Sequence, residues 1–251
     1  MFTHPTLDRL RQLRLPAFAD AWQQQQQDPL VSDLAFDDRL TLLVEAEWLS
    51  RQNHRLHRRL REAHLRLAAA PEDVDYHAAR GLDRGQFQPW LTTTWVATHQ
   101  VVLLTGPAGV GKTYLACALG HAACRQDYRV RYIRVSRLLG ELVVARLDHT
   151  YAQGLRAWAK TDLLILDDGG EPLTAEQARD LWEVLDDRYG RGATIVTSQV
   201  PVAQWHALIP DATTADAILD RLVHRSYRVE LKGESLRKHL PEPDATRHTN
   251  A

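Results

Sequence analysis

Residues 101–125 read VVLLTGPAGVGKTYLACALGHAACR and contain three different local patterns in succession. Residues 101–104 form a short, wholly apolar run, which is typical of a buried strand in a parallel sheet. Residues 106–113 then match the pattern G-x-x-x-x-G-K-[ST] in full. The alanine-rich stretch that follows favours a helix. A strand, a glycine-rich turn and a helix in this order predict a phosphate-binding loop.

The residue types in this loop suit the triphosphate of ATP together with Mg²⁺. Glycines allow backbone N–H groups to surround the β-phosphate, and the helix amino terminus adds partial positive charge. Lys112 is expected to neutralise the β- and γ-phosphates, and Thr113 to place its hydroxyl on Mg²⁺. The alternative, a glycine turn without a ligand, is weak because a chance match occurs in about one percent of such chains. The predicted nucleotide contacts are Gly106, Pro107, Ala108, Gly109, Val110, Gly111, Lys112, Thr113 and Tyr114.

Two further segments predict catalytic groups at the same edge of a sheet. Residues 162–168 read DLLILDD, an apolar strand that ends in two carboxylates. Asp167 is expected to hold Mg²⁺ through water, and Asp168 to polarise the attacking water. Gln199 follows the apolar residues 193–197 and would also face the γ-phosphate if these two strands are neighbours. The alternatives are a carboxylate pair that caps a turn and ordinary polar residues at a strand end.

Apolar strand patterns alternate with helical patterns from residue 99 onward. Further strands are predicted at residues 130–135, 163–166, 193–197 and 227–231, with helices between them. This alternation predicts an α/β fold of the P-loop NTPase type, a parallel sheet with helices on both faces. We predict an ATPase domain at residues 99–239, preceded by a helical domain at 1–70 and a linker at 71–98. Residues 240–251 are expected to form a flexible tail.

A basic helix is predicted from residue 51 to residue 67. Leucines and an alanine share one narrow face, while five arginines share another. The basic face is either an ordinary solvated surface or a contact for DNA phosphates. Its arginines are Arg51, Arg55, Arg58, Arg59 and Arg66.

Composition limits the remaining possibilities. The chain has 251 residues and a formal net charge of −1, so its overall charge indicates no particular partner. Cys117 and Cys124 are its two cysteines, and we expect both to be buried and unpaired. The sequence lacks a signal-peptide pattern and an apolar run of about 18 residues, so we expect a cytoplasmic protein without membrane contact.

Several stretches together resemble the AAA+ ATPases and, more narrowly, the IstB transposition helpers, which are relatives of the DnaC helicase loader. The phosphate-binding loop and the segment LLILDDG carry the broad resemblance. Residues 194–201 (TIVTSQVP), 217–224 (AILDRLVH) and 231–238 (LKGESLRK) carry the narrow one. The resemblance covers residues 6–238, and its helical part extends from Leu13 to Arg61.

This resemblance implies an oligomeric ATPase that assembles on duplex DNA when ATP is bound and then recruits or activates a cognate transposase. It implies ATP sites at subunit boundaries, with Gln199 at the sensor position and Arg221 at the arginine-finger position. Arg225 is the second choice for the finger, and Arg237 stands near the second-sensor region. Unpaired surface charge is the alternative for these arginines. One departure is visible, since Gly169 stands where the family usually has an aromatic residue.

Two other functions remain open at this stage. A helicase loader on the same fold would act on single-stranded DNA, where exposed aromatic side chains commonly stack on bases. The basic face of residues 51–66 contains no aromatic residue, which favours a duplex backbone. A small-molecule kinase would need an acceptor domain and an arginine-rich lid after the core, whereas the additional residues of this chain precede the phosphate-binding loop.

Overall fold

The computed structural model describes residues 5–224 and 226–236, apart from the side chain of Ser32. These residues divide into two compact units, one that ends at Arg58 and one that begins at Arg59. None of the helices in this part of the chain is long and apolar enough to cross a membrane.

The first unit consists of helices. They are α1 (Pro5–Gln12), α2 (Pro16–Gln25), α3 (Pro29–Ser32) and most of α4 (Phe36–Ala63). Proline occupies the first position of α2 and α3, where its fixed φ angle suits a helix and its missing N–H costs no bond. The buried carboxylate of Glu47 accepts hydrogen bonds from the N–H groups of Ala17 and Phe18, and it thereby caps α2 from α4.

Helix α4 ends earlier than the sequence pattern predicts. Its last residue is Ala63, and His64 adopts a left-handed conformation with φ of 52°. The prediction that the helix continues to residue 67 was therefore wrong, and Arg66 does not belong to the basic face of α4. A hydrophobic pattern does not record this stop, because Leu67 happens to continue the helical period.

The second unit is built on a five-stranded parallel sheet, which confirms the predicted fold class. The strands are β1 (Val101–Thr105), β2 (Val130–Arg134), β3 (Leu163–Gly169), β4 (Ala193–Ser198) and β5 (Ser226–Glu230), in the spatial order β2-β3-β4-β1-β5. Because all strands are parallel, their carboxyl ends meet at one edge of the sheet. The three central strands are almost wholly buried, while the outer strands β2 and β5 have two buried residues and one buried residue, respectively.

Helices cover this sheet. They are α5 (Arg84–Phe87), α6 (Thr94–Ala97), α7 (Lys112–Arg125), α8 (Val135–Leu147), α9 (Tyr151–Ala159), α10 (Ala175–Arg188) and α11 (Ala212–Val223). Helix α9 was not predicted from the sequence. Cys117 and Cys124 are buried on α7 and are not bonded to each other, as expected. Burial raises the pKa of the Cys117 thiol to about 11, so this thiol is unreactive at neutral pH.

The segment before β1 packs on β5, which is an outermost strand of the sheet. Phe87, Trp90 and Trp95 are buried, and the rings of Trp90 and Tyr227 lie 5.3 Å apart. The side-chain amide of Gln86 donates a hydrogen bond to the carbonyl of Arg228 in β5. These contacts cover a margin strand that would otherwise offer unpaired backbone groups.

Candidate nucleotide-binding site

The phosphate-binding loop joins β1 to α7 and depends on glycine at three positions. Gly106, Gly109 and Gly111 have φ angles of +139°, +81° and +98°, a region that other residues rarely adopt. A Cβ on Gly106 would lie 2.2 Å from the carbonyl oxygen of Leu231, which no side chain could tolerate. These glycines let the loop turn tightly at the amino end of α7.

The loop is also fixed by the segment that follows β5. The N–H of Leu236 donates to the carbonyl of Gly109 at 3.0 Å, and Leu231 contacts Gly106 as described above. Ser235 lies so close to Gly109 that a Cβ on this glycine would collide with its side chain. Residues 231–236 therefore form one wall of the loop. Arg225 and Arg237, the two less favoured arginines of the sequence analysis, lie outside the described residues.

Lys112 places its ammonium group inside the curve of the loop. The side-chain amine donates to the carbonyls of Gly106 and Pro107, both at 2.7 Å, and the residue is buried. Phosphate oxygens could replace these two carbonyls as acceptors, and they would provide stronger, charge-assisted partners. The position of Lys112 thus fits a bound polyphosphate.

The other residues predicted to contact nucleotide differ in what they can offer. Pro107 and Ala108 form the exposed tip of the loop, and the side chain of Val110 is buried. Ala108 and Val110 can therefore contact a phosphate through their backbone N–H groups, whereas Pro107 has no N–H to donate. The hydroxyl of Tyr114 donates to the carbonyl of Asp73 at 3.2 Å, so its side chain points to the segment before the sheet.

Asp167 is the centre of the hydrogen-bond network at the end of β3. Its carboxylate is fully buried and accepts hydrogen bonds from the hydroxyls of Thr113 at 2.9 Å, Tyr132 at 2.5 Å and Thr197 at 2.5 Å. Arg66 lies 3.7 Å away and supplies the nearby positive charge. A buried carboxylate needs such partners, because the uncompensated charge would be very costly.

Two of these partners, Tyr132 and Arg66, were not predicted from the sequence as contacts of the site. Burial raises the pKa of the Tyr132 phenol, and the hydrogen bond to Asp167 raises it further, so the hydroxyl keeps its proton and donates. A hydrogen bond to Tyr132 raises the pKa of Arg66, which remains charged. The pairing of β2 with β3 brings Tyr132 to this edge, and that pairing cannot be deduced from the β2 sequence alone.

Thr197 connects the two aspartates of β3. Strand β4 pairs with β3, so the condition for Gln199 to face the same edge is met. The Thr197 hydroxyl donates to Asp167, and it accepts a hydrogen bond from the backbone N–H of Asp168 at 3.1 Å. Asp168 occupies an irregularity in the β3–β4 pairing, with a left-handed φ of 60°. Asp168 and Gln199 are both exposed at this edge.

Gly169 stands beside an apolar cavity of about 120 Å³. A Cβ on this glycine would lie 3.4 Å from Val196 and 3.7 Å from Val135, two residues that line the cavity. The nearest atom to that Cβ would be the carbonyl oxygen of Thr197, at 3.3 Å, so a side chain at position 169 would be tightly packed. Asp168 lines the same cavity.

Arg221 lies at the opposite edge of the sheet from the phosphate-binding loop. Its guanidinium pairs with Asp186 at 2.8 Å and stacks over the ring of Tyr189. It lines a small cavity with Val101 and Thr194, the residues near the starts of β1 and β4. The phosphate-binding loop follows the end of β1, so the length of this strand, about 16 Å, separates Arg221 from the loop. Arg221 cannot reach the phosphates of its own subunit.

The arginines predicted to contact DNA differ in their environment on α4. Arg51 pairs with Glu47 and donates to the carbonyl of Arg14. Arg59 pairs with Asp127 and is mostly covered. Arg55 and Arg58 are exposed one turn apart on the same face. These last two are the best placed of the four to meet a phosphate backbone.

The oxygen atoms at the site suit Mg²⁺. The hydroxyl of Thr113 and the carboxylate of Asp167 are hard oxygen donors 2.9 Å apart. In the described part of the chain, no cluster of three or more His, Cys, Asp or Glu side chains could hold a metal by itself. In a P-loop site, phosphate oxygens and water complete the coordination of the ion.

Comparisons with known proteins agree with this geometry. Over 239 residues the chain is 49% identical to the insertion sequence ATP-binding protein y4pL of Sinorhizobium fredii, covering 95% of this chain and 98% of the relative. It is 44% identical to the insertion sequence ATP-binding protein y4uH of the same organism, covering 95% and 96%. The solved DnaC helicase loader resembles the fold with a TM-score of 0.52 at 19% identity, over 58% of this chain and 86% of the other.

Residues 8–242 match the family described as IstB-like ATP binding protein. The match includes the phosphate-binding loop, both aspartates of β3 and the strand that carries Thr197. The fold, the arrangement of these groups and the relatives therefore lead to the same conclusion. The chain belongs to the IstB-like ATP-binding family.

Proposed function

We propose that this protein is a Mg²⁺-dependent ATPase that assembles on duplex DNA in its ATP-bound form and recruits or activates a transposase. The observation that carries the proposal is the joint placement of Lys112, Thr113 and Asp167 at one edge of the sheet. The names of the relatives, which associate ATP binding with insertion sequences, support the link to transposition.

The residues of the site divide the chemistry of hydrolysis among them. Lys112 and the loop N–H groups bind the phosphates, and Mg²⁺, when bound, neutralises the charge that develops on them. Thr113 and Asp167 would hold the ion, Thr113 through its hydroxyl and Asp167 through water. Asp168 is exposed, its backbone N–H donates to Thr197, and its carboxylate would polarise the attacking water. Gln199 lies at the end of the neighbouring strand, where its amide can orient that water.

A complete site requires a second copy of the chain. Arg221 is held at the edge of the sheet that is remote from its own loop. An arginine that enters a neighbouring active site stabilises the charge of the transition state, which can raise kcat by about 10³- to 10⁵-fold. We therefore assign Arg221 to the nucleotide of the adjacent subunit in a homo-oligomer.

DNA binding is assigned to the basic face of α4, formed by Arg51, Arg55, Arg58 and Arg59. Exposed arginines one turn apart match the phosphate backbone of a duplex, which is bound largely by charge. A helicase loader remains the competing function, because the fold also resembles the DnaC helicase loader. That resemblance concerns the fold alone. The two functions are distinguished by whether the protein prefers duplex or single-stranded DNA, and by its protein partner.

The proposal is tested by binding of the protein to labelled duplex and single-stranded DNA with ATP–Mg²⁺ or ADP–Mg²⁺. We expect cooperative binding to duplex that requires ATP, and co-purification of the transposase with that complex alone. A preference for single-stranded DNA would instead support a helicase loader. Phosphate transfer to a metabolite without any effect of DNA would indicate a small-molecule kinase.

Substitution Lys112→Ala should weaken the binding of ATP–Mg²⁺ by about 10- to 100-fold, because a charge-assisted partner of the phosphates is lost. The affinity is measured with a fluorescent ATP analogue. Lys160→Ala, which removes an exposed lysine at the end of α9, is the matched control and should bind normally. Normal affinity in Lys112→Ala would remove this residue from the site.

Substitution Arg221→Ala should leave ATP binding unchanged and reduce turnover in the DNA-bound assembly by about 10³-fold, the lower end of the range for arginine fingers. Asp186→Asn breaks the same ion pair but keeps the arginine, so it should hydrolyse ATP normally.

Mixing Arg221→Ala with Asp168→Asn provides the decisive form of this test. Each variant lacks a different half of the shared site, so mixed assemblies should regain part of the turnover. If mixtures are no more active than either variant alone, Arg221 does not act on a neighbouring subunit.

The double substitution Arg55→Glu, Arg58→Glu should weaken duplex binding at all sequences. It should also lower the slope of log K against log salt by about two, since each lost phosphate contact contributes about 0.9. Anisotropy of a labelled duplex at several salt concentrations measures both effects. Arg156→Glu, Arg179→Glu changes the net charge equally on exposed positions elsewhere and should preserve the slope. An unchanged slope in the α4 variant would identify its basic face as an ordinary solvated surface.

A further inference from the structure

A second basic surface lies next to the nucleotide site and was not predicted from the sequence. It is a cleft of about 600 Å³ at the carboxyl end of β2 and the start of α8, here called the arginine cleft. Its basic lining residues are His64, Arg66, Arg131, Arg134 and Arg137. All of them belong to the unit that begins at Arg59.

Positive charge dominates this cleft. Glu141 is the one acidic residue among the described residues that line it, and it pairs with Arg137 at 3.2 Å. Arg131 and Arg134 are exposed on the margin strand β2. The guanidinium of Arg131 stacks over the ring of Trp158 at 5.3 Å, which holds the charged group at the wall of the cleft.

The amino end of α8 adds further donors at the same place. The helix begins at Val135, directly after Arg134, and no side-chain hydrogen bond caps its first turn. Ser136 and Arg137 of that first turn line the cleft. Backbone N–H groups at a helix start and arginine side chains together favour an anion with several acceptor oxygens.

Arg66 connects this cleft to the nucleotide site. Its side chain is 38% exposed in the cleft, and it lies 3.7 Å from the fully buried carboxylate of Asp167. It also hydrogen-bonds to Tyr132, whose hydroxyl donates to the same carboxylate. The ion pair spans 3.7 Å, beyond ordinary hydrogen-bond length, and Asp167 also accepts hydrogen bonds from three hydroxyls. Its charge therefore stays partly compensated when Arg66 moves away.

We propose that a phosphate of the nucleic-acid backbone binds in the arginine cleft and draws Arg66 away from Asp167, which couples DNA binding to the Mg²⁺ site. This inference rests on the proposed function. It adds a second DNA contact, separate from α4, and it assigns a regulatory role to Arg66. Arginine suits this ligand because its planar fork can bind two phosphate oxygens at once.

The coupling follows from competition for one guanidinium. Without DNA, Arg66 neutralises part of the charge of Asp167 and so weakens its attraction for a metal ion. A phosphate at the cleft offers Arg66 a more exposed anionic partner. Asp167 then keeps its three hydroxyl donors but loses the competing cation, so Mg²⁺ is bound more tightly.

The binding part is tested with the double substitution Arg131→Ala, Arg134→Ala. Anisotropy of a labelled duplex should show weaker binding and a salt slope lower by about two. The matched control, Arg156→Ala, Arg179→Ala, also removes two exposed arginines and should behave as wild type. A wild-type slope in the cleft variant would overturn the proposal. The proposal would also be overturned if the cleft variant kept the wild-type salt slope but no longer self-associated in the absence of DNA. That result would indicate that the cleft binds an acidic protein segment.

The coupling part is tested with Arg66→Gln. The readout is the Mg²⁺ concentration that half-saturates binding of a fluorescent ATP analogue, with and without duplex. In wild type, duplex should lower this concentration by about two- to fivefold, the effect of breaking a partly exposed ion pair. In Arg66→Gln the half-saturating Mg²⁺ concentration should already be low without duplex, and duplex should not change it. Arg66→Lys should retain part of the wild-type shift in this concentration. A full wild-type shift in Arg66→Gln would contradict the coupling.

Different results would contradict the proposed function and the arginine cleft. If the wild-type protein binds no DNA, the proposed function itself is wrong. The outcome is different if the wild type binds duplex and the Arg55→Glu, Arg58→Glu variant binds it more weakly. If both cleft variants then behave as wild type, only the proposal for the arginine cleft is wrong.

Discussion

The buried carboxylate of Asp167 is the constraint on which the arrangement of the site depends. It is fully buried and accepts hydrogen bonds from hydroxyls on three different segments, at Thr113, Tyr132 and Thr197. Because an unsatisfied buried charge is costly, these segments must keep their relative positions for the charge to be tolerated. The start of α7, the edge strand β2 and the central strand β4 are thereby fixed around the end of β3.

This network also explains how one site can respond to events on both sides of it. Thr197 contacts both aspartates of β3, because its hydroxyl donates to the carboxylate of Asp167 and accepts from the backbone N–H of Asp168. Arg66 lies 3.7 Å from Asp167 on the side of the arginine cleft, while the amine of Lys112 lies inside the curve of the phosphate-binding loop. Arg221 lies at the opposite edge of the sheet from the phosphate-binding loop. Under the proposed function, the site of one subunit therefore depends on Arg221 of another subunit.

Much of this could be predicted from the sequence, because the motifs are local. The loop, the aspartates and the alternation of strands and helices each depend on residues that are close in the chain. Tyr132 and Arg66 could not be found in this way, since they reach Asp167 through strand order and through the end of α4 at Ala63. That end depends on the left-handed conformation of His64, which hydrophobic periodicity does not record. The cavity beside Gly169 likewise depends on packing between distant elements.

The most direct test of the central claim is the affinity for ATP of wild type and Asp167→Asn, each measured with Mg²⁺ and with a chelator. Asparagine keeps the shape of the side chain and removes its charge. We predict that Mg²⁺ strengthens binding to the wild-type protein, and that most of this gain is lost in Asp167→Asn while metal-free binding is retained. An equal gain from Mg²⁺ in both proteins would show that Asp167 is not the residue around which the site is organised.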